Sequence, residues 1–115
     1  MKQKIHFIGI GGIGVSALAK YYLAKGYQVS GCDLTRSEIT DQLKTMGAKI
    51  RIGTPDTACV PPGTSKVIYS PAVPQNNPEL QRYKIQDTRY KIQVLTYPEA
   101  LGELTKIYDT IAISG

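Results

Sequence analysis

A glycine loop between two different hydrophobic periods constrains this chain more than any other feature. Residues 5–10, Ile-His-Phe-Ile-Gly-Ile, form an almost unbroken apolar run of strand length. Such a run, without polar alternation, reads as a strand buried on both faces, as in a parallel sheet. It leads into Gly9-Ile10-Gly11-Gly12-Ile13-Gly14, and the period then becomes helical, with Val15, Leu18, Ala19, Tyr22 and Leu23 on one stripe. Gly26 reads as the end of that helix. Buried strand, G-x-G-x-x-G and amphipathic helix in that order are the opening of a βαβ unit.

The same alternation continues. A second strand is expected at 27–32, ending at Asp33. Thr35-Arg36-Ser37-Glu38 has the T-x-x-E form of a capping box, so a helix is expected there, buried through Ile39, Leu43 and Met46 and stopped by Gly47. Further strands are expected at 49–52, 66–70 and 92–95. Residues 53–65 hold Gly53, Pro55, Pro61, Pro62 and Gly63 and read as a loop. Asn77-Pro78 begins a third helix, and Thr96-Tyr97-Pro98-Glu99, a second T-x-x-E box, begins a fourth. A last strand is expected at 110–113. The fold class is therefore α/β: a Rossmann-like parallel sheet flanked by helices, in a single domain.

Composition narrows the function. At 115 residues there is room for one domain with a real core. The net charge, 14 − 9 = +5, suits an anionic ligand as well as it suits nucleic acid. The densest basic run, 82–91, carries Arg82, Lys84, Arg89 and Lys91 but no interleaved basic–aromatic pattern of an RNA-binding sheet, so no nucleic-acid partner is expected. Within it Arg-Tyr-Lys-Ile-Gln occurs at 82–86 and again at 89–93, two copies where a coiled coil needs more. Cys32 and Cys59 form no CxxC and are accompanied by one histidine, which excludes a zinc site or disulfide scaffold and suits a reducing, cytoplasmic setting. The N-terminal apolar run is too short for a membrane span, and no membrane partner is expected.

Each loop glycine has an expected role. Gly9 would make the tight turn, Gly11 would allow close approach to a ligand diphosphate, and Gly14 would let the helix pack on the strand. N–H groups from Gly11, Gly12, Ile13 and Gly14 would face the phosphates. Asp33, at the end of the second strand, is positioned to accept from a nucleoside hydroxyl, or else serves its own turn. Ser37 and Thr40 serve the helix unless its first turn faces the ligand. His6, inside the first strand, reads as a core residue. No catalytic constellation and no metal cluster are visible, so the chain reads as a binding module. The motif leaves NAD, FAD and a UDP-sugar open. A stand-alone NAD-binding module of a dehydrogenase or sensor is one alternative, and a flavodoxin-like interaction domain without ligand another.

Several blocks resemble the Mur ligase family: His6-Phe7-Ile8-Gly9-Ile10-Gly11-Gly12-Ile13-Gly14-Val15-Ser16-Ala17-Leu18-Ala19, then Gly31-Cys32-Asp33 with Ser37, Thr40, Leu43 and Gly47-Ala48, then Tyr69-Ser70-Pro71-Ala72-Val73-Pro74 with Asn77-Pro78-Glu79. Leu101-Gly102-Glu103-Leu104-Thr105 and residues 111–115 extend the likeness. The similarity is to the branch that adds L-alanine to UDP-N-acetylmuramate; the branch that joins a tripeptide to UDP-muramic acid ranks second. It implies an N-terminal UDP-binding domain, with ATP, magnesium, an ATPase domain and a C-terminal domain supplied by the rest of a longer enzyme and no cofactor in these residues. The implied contacts to the UDP moiety are Gly9, Gly11, Gly12, Ile13, Gly14, Asp33, Ser37, Ser70, Pro71 and Ala72. In the family the strand matching 111–113 runs into the ATP loop, so Ser114-Gly115 would mark the start of that motif. Cys32, Thr54 and Tyr97 depart from the family pattern, which commonly has serine, histidine and arginine there.

Overall fold

The computed structural model describes residues 3–54, 61, 63–78, 80–81 and 92–114, with side chains described as far as Lys106. Cys59, the whole basic run 82–91 and the first copy of the pentapeptide lie outside the described residues.

Five parallel strands form one sheet: β1 Lys4–Ile8, β2 Gln28–Asp33, β3 Lys49–Ile52, β4 Thr64–Tyr69 and β5 Gln93–Thr96, in the spatial order β3-β2-β1-β4-β5. Among the described residues, three helices can be followed from end to end: α1 Ile13–Ala24, α2 Glu38–Thr45 and α3 Tyr97–Ser114. Pro78, Leu80 and Gln81 are also helical. The expected class, a parallel sheet flanked by helices, is the observed one.

β1 lies in the middle, which is why its sequence is apolar on both faces. Ile5 and Phe7 point toward α1 and pack with Val15, Leu18, Ala19 and Tyr22; Leu43 of α2 and Ala100 of α3 join them. Ile8 points the other way, against Cys32, Val67, Tyr69 and Leu80. Phe7, Ile10, Leu43, Ile68 and Leu80 are fully buried, each worth about 1.5–3 kcal/mol of burial. His6 is equally buried, and its Nδ1 lies 2.7 Å from Ser30 Oγ, its register partner on β2. It is a core residue, as its place in a strand suggests.

Three expectations require correction. The cap of α2 is Ser37, not Thr35: Ser37 Oγ accepts from the Thr40 N–H at 3.2 Å and Thr40 Oγ1 from the Ser37 N–H at 2.9 Å. Serine and threonine reproduce the reciprocal box without glutamate. Met46 is not core but the C-cap, 47% exposed, because α2 ends at Thr45; Thr40, with no exposure, takes the inward position instead. Residues 110–113, expected as a strand, are helical and belong to α3. Thr96 and Glu99 start this helix as the box predicts, with the Glu99 N–H donating to Thr96 Oγ1 at 3.2 Å and the Thr96 N–H to Glu99 Oε1 at 3.0 Å. No proline or glycine follows Gly102 before Gly115. Once nucleated, a helix gains one hydrogen bond per added residue, whereas a strand at 110–113 would have to find an edge of the sheet.

Candidate functional site

All five strands run in one direction, so their carboxyl ends share one edge of the sheet, where open α/β sheets hold ligands. Two loops meet there. After β1, Gly9 takes φ +77, a left-handed conformation that a side chain would strain. Its N–H and that of Ile10 donate to the Cys32 carbonyl at 2.9 and 3.1 Å, and the Gly12 N–H returns to the Gly9 carbonyl at 3.2 Å. After β4, the Ser70 N–H donates to the Ile8 carbonyl at 3.1 Å, the Val73 N–H closes a turn on the Ser70 carbonyl at 2.9 Å, and Ser70 Oγ accepts from the Ala72 N–H at 3.2 Å. The loops touch: a Cβ on Gly9 would lie 3.1 Å from Val73 and 3.3 Å from Ser70.

Between them is a cavity of about 360 Å³ lined by Ile8, Gly9, Gly11, Gly12, Cys32, Asp33, Leu34, Gly53, Ser70, Ala72, Val73, Pro74 and Asn77. Six of the expected residues therefore converge: Gly9, Gly11, Gly12, Asp33, Ser70 and Ala72. Ile13, Gly14, Ser37 and Pro71 do not line it. Ile13 is 84% exposed at the start of α1, and Ser37 has its hydroxyl committed to the cap of α2. Gly12 is the N-cap of α1 and contributes no side-chain cap, so the first-turn N–H groups are left to other acceptors.

Two of the loop glycines lie against side chains from other elements. A Cβ on Gly14 would meet not a strand but the Tyr97 ring, 2.6 Å away. A Cβ on Gly11 would lie 2.8 Å from Asp33 Oδ2, the atom that also accepts the Gly11 N–H at 2.8 Å. Asp33 Oδ1 accepts the Thr35 N–H at 3.3 Å. The carboxylate thus ties the glycine loop to the exit from β2.

Sequence reasoning misses Ile8, Cys32, Leu34, Gly53, Val73, Pro74 and Asn77 as lining. Leu34, 67% exposed, carries a signal: a large apolar residue in a turn directly after a strand-end aspartate. Asn77 is expected as a cap, and its Oδ1 does accept the Leu80 N–H at 3.2 Å; its place in the cavity wall comes from the packing of two loops. Among the described residues, no three His, Cys, Asp or Glu gather to hold a metal ion, and no helix is long and apolar enough to cross a membrane.

Comparison with known proteins agrees with this architecture. The chain is 45% identical to a UDP-N-acetylmuramate–L-alanine ligase of Aquifex aeolicus over 98% of its own length and 24% of that protein's. A protein of the same name from Porphyromonas gingivalis is 39% identical over 98% of this chain and 25% of its own. The chain thus spans about a quarter of the relatives it matches. Among solved structures, the UDP-N-acetylmuramate–alanine ligase of Thermotoga maritima superposes with a TM-score of 0.78 and 30% identity over 90% of this chain and 23% of that one. The UDP-N-acetylmuramate:L-alanyl-γ-D-glutamyl-meso-diaminopimelate ligase of Neisseria meningitides shares the fold, with a TM-score of 0.72 and 23% identity over 90% of this chain and 31% of that one. The family described as "Mur ligase family, catalytic domain" matches residues 4–109. The chain belongs to the Mur ligase family.

Proposed function

We propose that residues 1–115 are the N-terminal domain that holds UDP-N-acetylmuramate in an ATP-dependent ligase, a cytoplasmic enzyme that adds L-alanine to this nucleotide in peptidoglycan synthesis. The observation that carries the reading is the cavity itself: the glycine loop after β1 and the Ser70–Pro74 turn after β4 face one another across the carboxyl edge of the sheet. The two ligases named above are similar to this chain over almost its whole length, and their names specify the substrate.

On this reading the diphosphate lies against the first turn of α1, where uncapped N–H groups and the positive end of the helix dipole favour an anion. The nucleoside fills the cavity, with Leu34, Ala72, Val73 and Pro74 as apolar wall and Ser70 as polar edge. On this reading ATP and magnesium belong to the other domains of the ligase, which are also this domain's partners.

Titration of UDP, UDP-N-acetylmuramate and NAD into isotope-labelled chain, followed by amide shifts, tests this. Gly9–Gly14 and Ser70–Val73 should shift with the two uridine nucleotides at lower concentration than with NAD. A stronger response to NAD would transfer the domain to the dehydrogenase class.

A further inference from the structure

We propose that Asp33 is a positioning residue: its carboxylate binds the glycine loop rather than the ligand, and thereby moves the diphosphate contact from Gly11 onto the first turn of α1. The proposal rests on the nucleotide-binding reading above and changes the assignment of two residues within it.

The geometry points to this in three ways. First, the Gly11 N–H is already used, donating to Asp33 Oδ2 at 2.8 Å. A phosphate oxygen would have to displace a carboxylate to reach it, with two anions brought together. Second, the missing side chain of Gly11 is explained by Asp33. An added Cβ would lie 2.8 Å from Oδ2 and 3.4 Å from the carboxyl carbon, with Thr40 Cγ2 also at 3.4 Å. Carboxylate and buried threonine occupy the space that a side chain at position 11 would need. Third, the other oxygen is also engaged, with Oδ1 accepting the Thr35 N–H at 3.3 Å. The carboxylate bridges the loop after β1 and the loop after β2, and backbone–carboxylate hydrogen bonds of this charged kind are among the stronger ones. Gly12, by contrast, brings no side chain to the start of α1, and the first-turn N–H groups there are the donors left for a diphosphate.

A cycle of variants and ligands separates positioning from direct contact. UDP, 2′,3′-dideoxy-UDP and 3-methyluridine 5′-diphosphate are each titrated into the wild-type chain, Asp33→Ala and Asp33→Asn. If Asp33 acts through the loop, Asp33→Ala weakens all three ligands by the same factor, about tenfold or more for loss of a charged hydrogen bond. Asp33→Asn, whose amide oxygen still accepts from Gly11, recovers most of the loss. If Asp33 takes a ribose hydroxyl or the uracil N3–H, Asp33→Ala weakens UDP but not the analogue lacking that group, and the proposal is overturned. Hydrogen exchange at the Gly11 amide of the ligand-free chain is read alongside. Protection present in the wild type and lost in Asp33→Ala supports the positioning role, even if UDP fails to bind and the ligase reading falls; equal exchange in both chains overturns it.

Discussion

The ring of Tyr97 stands where a side chain on Gly14 would have to be. An ideal Cβ on Gly14 lies 2.6 Å from Tyr97 Cζ, 2.8 Å from Cε1 and 3.0 Å from the hydroxyl oxygen. Tyr97 is the first residue of α3, held there by the Thr96–Glu99 box, so the start of one helix rests on the start of another. Gly14→Ala should therefore destabilise the chain by about 1–3 kcal/mol, the usual scale of overpacking. With Tyr97→Ala already present, the same change should be neutral or stabilising by up to about 1 kcal/mol, since alanine favours a helix over glycine. Urea denaturation of the four chains measures the coupling; additivity would mean that the ring swings aside at no cost.

The reciprocal box at α2 should be visible in stability. Ser37→Ala removes the acceptor for the Thr40 N–H and should cost about 1 kcal/mol. Thr40→Val keeps the buried methyl but removes the acceptor for the Ser37 N–H. Because both changes break one reciprocal device, the double variant should lose less than the sum of the two. Thermal melts of the set decide it.

Tyr22 sets an alkaline limit. Burial raises its phenol above the ordinary value of 10.0, and the nearby Glu103 carboxylate and Tyr27 raise it further. The folded chain thus holds this proton more tightly than the unfolded chain does. Its contribution to stability is complete below pH 10 and declines as pH rises through the folded-state value. Tyr22→Phe should lower stability little at neutral pH and flatten the alkaline decline. Melts between pH 8 and about 11.5 should show the two curves converging; parallel curves would remove Tyr22 as the cause.

The 115-residue chain should neither hydrolyse ATP nor form an amide bond. It contains no G-x-x-x-x-G-K-[ST] segment, and without that lysine and its magnesium partners nothing grips a γ-phosphoryl group. Phosphate release in the presence of ATP, magnesium, UDP-N-acetylmuramate and L-alanine should equal the buffer blank. Activity that follows the protein through purification would contradict this.

Much of the architecture was written in local pattern. An apolar run without alternation set β1 at the centre of a parallel sheet, because only a strand covered on both faces can bury Ile5, Phe7 and Ile8 together. The glycine loop, Asp33 and the Thr96–Glu99 box were equally legible, since turns and caps depend on residues a few positions apart. Tertiary structure alone decided which groups share a wall. Leu34, Val73 and Asn77 meet Gly9 only because β2 and β4 flank β1, and strand order is not encoded in any one segment. The roles of the glycines were decided in the same way. Gly11 and Gly14 have the spacing of a phosphate loop, yet what occupies the space beside them is a carboxylate from β2 and a ring from α3. Residues 110–113 show the converse. Their β-branched composition reads as a strand, but a strand needs a neighbour, while a helix already under way supplies its own hydrogen bonds.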